Sequence, residues 1–208
     1  MKIVLFVEGH TEKKALPEFL KLWLDSRLSA RIGIKTVRFE GWSEYYRDTA
    51  KKVHLNLSGK AGADVVGAVG LLDLYGPTFY PRDKTTAADR YAWTKDQLEK
   101  AVGHPRFRQH FAIHETEAWL LSDPTILPRP VASALPARAA KPETVNFDEP
   151  PAKLLERLYK ERLHKGYKKV IDGANLFADL KPEVAYGKCP SLQRLMDDML
   201  QLAGGSAA

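Results

Sequence analysis

Four carboxylates in this 208-residue sequence stand where apolar runs stop. Ile3-Val4-Leu5-Phe6-Val7 ends in Glu8, and the run from Val65 to Leu72 ends in Asp73. The shorter run Phe107 to Ile113 passes through His114 into Glu115 and Glu117. Carboxylate oxygens gathered in one place form the donor set that hard Mg²⁺ or Mn²⁺ prefers. A cation held there stabilises charge developing on a phosphoryl group and activates a water for attack. The metal-ligating candidates are therefore Glu8, Asp73, Glu115 and Glu117. Asp73 has the weakest structural explanation, because burying a charge at the end of so apolar a run without a partner is costly. Acids near a helix start also complement the helix dipole, so Glu115 and Glu117 have a structural reading beside the functional one.

The elements around these acids must bring them together. A short apolar run bounded by glycine fits a buried, parallel strand, and Leu16, Phe19, Leu20, Trp23 and Leu24 follow at helical spacing. Thr11 reads as the N-cap of that helix, with Pro17 complicating its first turns. Ile32 to Phe39 is rich in β-formers, and Tyr46, Ala50, Val53 and Leu57 then recur at helical spacing. A further helix capped by Thr85 or Thr86 ends near Gly103, before the fourth strand. Strands alternating with helices, followed by helices alone, predict an α/β fold: a mostly parallel sheet flanked by helices, with a helical C-terminal part. In such sheets ligands collect outside the carboxyl ends of the strands, where the four acids would converge.

The organisation expected is an α/β domain over residues 1–123 and a proline-rich linker or arm over 124–150. A helical part over 151–203, packing on the same domain, and a disordered tail over 204–208 complete it. Seven of the 13 prolines fall in or beside the arm, and Pro151 and Pro190 stand at helix-start positions. With 32 Lys and Arg against 26 Asp and Glu, the net charge of +6 suits a polyanionic partner such as nucleic acid. The lone Cys189 excludes an internal disulfide framework and a cysteine-based zinc site. Only five apolar residues precede Glu8, too few for a signal segment, and no run approaches the ~20 residues of a membrane span. A reducing, cytoplasmic setting is expected. No Walker-type phosphate loop occurs, so ATP hydrolysis by this chain is not expected.

Val7-Glu8-Gly9-His10-Thr11-Glu12, paired with a later apolar strand ending in Asp73, resembles the Toprim domain shared by topoisomerases, primases and overcoming-lysogenisation-defect nucleases. Leu72-Asp73-Leu74-Tyr75-Gly76 and Ile113 through Pro124 are similar, more closely, to a bacterial Toprim-like family of unknown function. The resemblance extends to Lys153, to Tyr167 through Gly173, and to Cys189-Pro190. It implies a Toprim-like fold, Mg²⁺-dependent phosphoryl transfer and a setting in phage defence or DNA repair beside an ATPase partner. Within it Glu8 is a general acid/base or metal ligand and Asp73 a metal ligand. One position departs: Toprim enzymes carry a second aspartate two residues after the first, where this chain has Tyr75. A phenol is a poor Mg²⁺ ligand at neutral pH, so either Glu115 or Glu117 supplies the missing carboxylate, or metal binding is weak and the activity altered.

Glu8, Asp73 and Glu117 are thus the catalytic candidates for a metal-dependent nuclease. His10, Thr11 and His114 beside the acids, and Lys153 and Lys169 as phosphate contacts, are the substrate-binding candidates. Trp42, Tyr45 and Tyr46, interleaved with Arg47, can stack on bases or pack on the sheet. The alternative, motivated by Tyr75, is a non-catalytic partner or sensor subunit of an ATPase with a degenerate Toprim site.

Overall fold

The computed structural model describes residues 1–205. Its first half alternates strand and helix: β1 (Lys2–Val7), α1 (His10–Asp25), β2 (Gly33–Arg38), α2 (Trp42–Leu57), β3 (Val65–Asp73), α3 (Ala87–Val102) and β4 (Phe107–Ala112). The four strands are all parallel, in the order β2-β1-β3-β4. The fold is α/β with helices on both faces, as the element order implies. β1 and β3 lie in the middle and are buried on both sides, which is why they read as continuous apolar runs rather than alternating ones.

Side chains divide between the two faces with period two. Ile3, Leu5 and Val7 face one apolar cluster with α1, whereas Val4 and Phe6 face a second with α2 and α3. Because α1 covers one face and α2 and α3 the other, the chain reverses its winding between β1 and β3. That reversal opens a crevice at the carboxyl ends of the two central strands.

The α1 boundary differs from the sequence reading. The helix starts at His10 with Gly9 as N-cap, and Thr11 is a buried member of its first turn rather than the cap. Pro17 lies inside the helix. α2 starts at Trp42, four residues before Tyr46, so its first turn holds Trp42 and the fully buried Tyr45. Thr86 does cap α3, accepting a hydrogen bond from Asp89 N at 3.1 Å, and Gly103 ends it in the left-handed conformation.

Beyond β4 come the short helices α4 (Glu117–Leu120) and α5 (Arg129–Ala132), then α6 (Pro151–Leu163), α7 (Lys169–Asp179), α8 (Pro182–Lys188) and α9 (Pro190–Leu202). Prolines at the first helical turn start α6, α8 and α9, where the missing N–H would be unpaired in any case. These helices join the α1 cluster through Leu154, Leu158, Phe177, Leu192 and Leu195. Residues 124–150 form short helical turns, and Leu127, Val131 and Val145 from them reach the same cluster. Of the expected tail over 204–208, Gly204 and Gly205 hydrogen-bond back to Gln201 O and Leu200 O, and residues 206–208 lie outside the described residues. No helix among the described residues is long and apolar enough to cross a membrane.

A packing constraint at Gly70 keeps β3, and with it Asp73, in place. A Cβ there would lie 1.9 Å from Tyr45 Oη and 2.3 Å from Gln109 Oε1, two buried atoms joined by a 2.7 Å hydrogen bond. Gly70→Ala is therefore expected to lower the unfolding free energy by about 1–3 kcal/mol through overpacking. A urea titration checks this, and an unchanged midpoint would show that the site relaxes freely.

Candidate active site

β1 ends at Val7 and delivers Glu8 to the crevice, while its neighbour β3 delivers Asp73. Glu8, His10, Glu12, Asp73, Tyr75 and Lys169 line a cleft of about 250 Å³ there. Glu12 sits one helical turn beyond Glu8 and is buried at the start of α1. Its carboxylate fills the space in front of Gly9, where a Cβ would lie 2.0 Å from Glu12 Oε2. A glycine after Glu8 is thus a requirement of the way Glu12 turns inward.

The end of β4 supplies the other acids. His114 adopts a left-handed conformation, φ 65°, uncommon outside glycine, and its carbonyl accepts a 2.8 Å hydrogen bond from Tyr75 N. After that turn Thr116 ties three segments together: its N–H donates to Asp73 Oδ1 at 3.1 Å and its hydroxyl donates to Glu12 Oε1 at 3.0 Å. Glu115 Oε2 accepts from Ala152 N, in the first turn of α6, at 2.9 Å. Glu117 is fully buried.

Lys169, the first residue of α7, closes the group. Its ammonium stands 3.0 Å from Glu117 Oε2, 3.7 Å from Asp73 Oδ2 and 3.8 Å from Glu115 Oε1. Burial alone would lower the Lys169 pKa, but Asp73, Glu117, Glu115 and Glu12 outweigh it and hold the amine protonated. Burial raises Asp73 well above the usual carboxylate range, with Lys169 opposing and the other acids adding. Burial likewise lifts Glu117 to about 7, and Lys169 only partly offsets the shift. Glu8 is raised by burial too, against the backbone N–H of Trp42 at the start of α2. Burial lowers His114 to about 4, so its ring is neutral at physiological pH.

The donor chemistry fits a hard divalent cation. The cleft is lined by carboxylates, and Glu12 Oε2 and Glu117 Oε1 are buried oxygens with no hydrogen-bond partner among the described residues. Among those residues, however, no three carboxylate, His or Cys groups stand in a ready-made coordinating arrangement. The two halves of the cluster differ: Glu115 and Glu117 face the Lys169 ammonium, whereas Glu8 and Glu12 do not pair with it.

The structure brings Glu8, His10, Thr11, Asp73 and Lys169 to one cleft, with Glu115 and Glu117 directly behind Lys169. His10 is exposed at the rim, and Thr11 is buried between the cleft and α7. Two candidates lie elsewhere. His114 packs edge-on against Phe147, ring centroids 4.3 Å apart, and Lys153 stands 6.0 Å from the Tyr75 ring. Two participants had not been singled out as site residues. Glu12 carries a signal, the i, i+4 spacing from Glu8 across a helix start. Thr116 carries none, because its two bonds reach residues 43 and 104 positions away.

A family model matches residues 7–200. The chain belongs to the DUF4276 family, a domain of unknown function. This DUF4276 chain is similar to the C-terminal region of the Burkholderia pseudomallei OLD protein, at 15% identity, 97% coverage of this chain, 98% of that one and a TM-score of 0.49. It is also similar to the C-terminal region of the Xanthomonas campestris pv. campestris OLD protein, at 16% identity, 97% and 93% coverage and a TM-score of 0.47. Likenesses this distant transfer no activity to the DUF4276 chain. No curated protein matches it.

The raised pKa of Glu117 sets a pH dependence. Its folded value of about 7 exceeds the ordinary 4.5, so its contribution to stability is fully present below pH 4.5 and is lost as pH rises through 7. Glu117→Gln removes that loss. The variant, compared with wild type, is expected to gain about 1–3 kcal/mol between pH 4.5 and a pH above 7. Chemical denaturation at both pH values measures this, and a difference independent of pH would show that Glu117 stays ionised throughout.

Proposed function

We propose that this chain is a metal-dependent phosphodiester-processing enzyme, a nuclease acting on nucleic acid. The observation that carries the reading is the meeting of Glu8, Glu12 and Asp73 at the switch point of a parallel sheet, with the Lys169 ammonium beside them. Toprim-like motifs at Glu8 and Asp73 and the net charge of +6 support it.

Glu8, Glu12 and Asp73 would hold the cation on the open side of the cleft. Bound there, Mg²⁺ or Mn²⁺ would withdraw charge from phosphoryl oxygens and acidify a water. The protein's own groups do the rest. Glu8 would either share in holding the cation or, left unligated, accept a proton from the attacking water. Lys169, held protonated by its acidic neighbours, balances negative charge gathering on the phosphoryl group. Thr116 keeps Asp73 and Glu12 from swinging away, and exposed His10 contacts the incoming strand.

A second reading, a non-catalytic subunit working through an ATPase partner, draws on one observation. The Lys169 ammonium already stands among Asp73, Glu115 and Glu117, where a cation would otherwise go. Purified protein assayed on DNA and RNA with Mg²⁺ or Mn²⁺ separates the two. Cleavage is expected, and Glu8→Gln or Asp73→Asn should each reduce it by about 100-fold or more. Equal cleavage by wild type and both variants would sink the assignment. A Mn²⁺ titration followed by electron paramagnetic resonance gives an independent readout, and a wild type that neither binds Mn²⁺ nor cleaves would favour the second reading.

A further inference from the structure

Tyr75 belongs to two cavities at once. It borders the carboxylate cleft and also lines a neighbouring cavity of about 410 Å³ with Phe147, Arg90 and Thr78. That volume lies within the ~300–1,000 Å³ range of ordinary ligand pockets. Tyr75 is 36% exposed, although its N is fixed by its bond to His114 O. Phe147 lies nearly parallel to it, centroids 5.9 Å apart at 27°, and is buttressed edge-on by His114.

Two cations frame these rings. The Arg90 guanidinium stands 5.1 Å from the Phe147 centroid and 4.8 Å from that of Tyr80, and its Nε donates to Lys84 O at 3.0 Å. Lys153 Nζ stands 6.0 Å from the Tyr75 centroid. Among the described residues neither Arg90 nor Lys153 forms an ion pair with a carboxylate. The exposed Tyr75 ring, backed by Phe147 and set beside cations without anionic partners, selects a ligand that is flat and attached to anionic groups. A nucleobase with its flanking phosphates has that chemistry.

We propose that Tyr75 and Phe147, framed by Arg90 and Lys153, form a stacking subsite for an unpaired nucleobase next to the carboxylate cleft. The inference rests on the phosphodiester-processing reading and narrows its substrate to single-stranded or frayed-end polynucleotide. Inside a duplex both faces of a base are occupied by its neighbours, so away from the ends only an unpaired base can offer one to Tyr75. Because Tyr75 borders both cavities, a base on its ring leaves the adjoining backbone at the carboxylates. Stacking is tolerant of base identity, so the subsite discriminates by strandedness rather than by sequence.

Fluorescence anisotropy on the full chain in EDTA tests this without any cleavage. The probes are a short labelled oligothymidylate, an abasic strand of the same length and charge, and a blunt duplex. Wild type is expected to bind the oligothymidylate about 10-fold or more tightly than either other probe. Tyr75→Leu should abolish that preference and Tyr75→Phe should keep it, with thermal unfolding verifying that both variants fold. Equal affinity of wild type for base-bearing and abasic strands, or no binding to either, would overturn the subsite. So would a folded Tyr75→Leu variant that keeps the full preference, which would place stacking elsewhere. A wild type that shows the preference but never cleaves with Mg²⁺ or Mn²⁺ keeps the subsite and loses the nuclease reading.

Discussion

Charge crowding governs the candidate site. Glu8, Glu12, Asp73, Glu115 and Glu117 converge on one crevice, where like charges repel and burial disfavours the charged forms of Asp73, Glu117 and Glu8. Lys169 makes the crowd tolerable, and it does so unevenly. Its ammonium contacts Asp73, Glu115 and Glu117 but leaves Glu8 and Glu12 on the open side. A gradient of compensation thus runs through the cluster, from the paired, fully buried Glu117 to the cleft-lining Glu8. Other features of the site follow from holding those acids apart: Gly9 leaves room for Glu12, and Thr116 fixes Glu12 and Asp73 with one donor each.

The sheet sets where this happens. Parallel order puts every strand's carboxyl end on the same edge, and the reversal between β1 and β3 leaves that edge uncovered between two strands. The aromatic ground beyond Tyr75 exists for the same reason. The segment after β3 lies against the turn after β4, with Tyr75 N bonded to His114 O, so Tyr75 is presented between the acids and Phe147.

Much of this was legible in the residues. Runs such as Val65 to Leu72 show strands buried on both faces, and an acid ending such a run points to the sheet edge. Parallel order then follows from the alternation with helices, which is how Glu8 and Asp73 could be placed as neighbours without coordinates. Other parts were not legible, for physical reasons. Lys169 reads from its surroundings as a solvated helix lysine, because nothing local reports that it pairs with residues at 73, 115 and 117. Thr11 has the chemistry of an N-cap, yet Gly9 holds that place and Thr11 is drawn inside. Prolines between 124 and 151 mark where turns begin, but say nothing of Leu127, Val131 and Val145 entering the core. His114 stands left-handed because of what the following acids must reach, a demand that propensity does not record.

Lys169 is also a matter of timing. It opens α7, well after every acid it contacts has been made. A growing chain can complete β1, β3 and β4 and bring their carboxyl ends together, but until α7 arrives the acids have no ammonium among them. They must then stay hydrated or carry protons, because an ionised, dehydrated cluster is too costly. The α7 helix therefore lets the cluster close only after every acid that Lys169 contacts has been made.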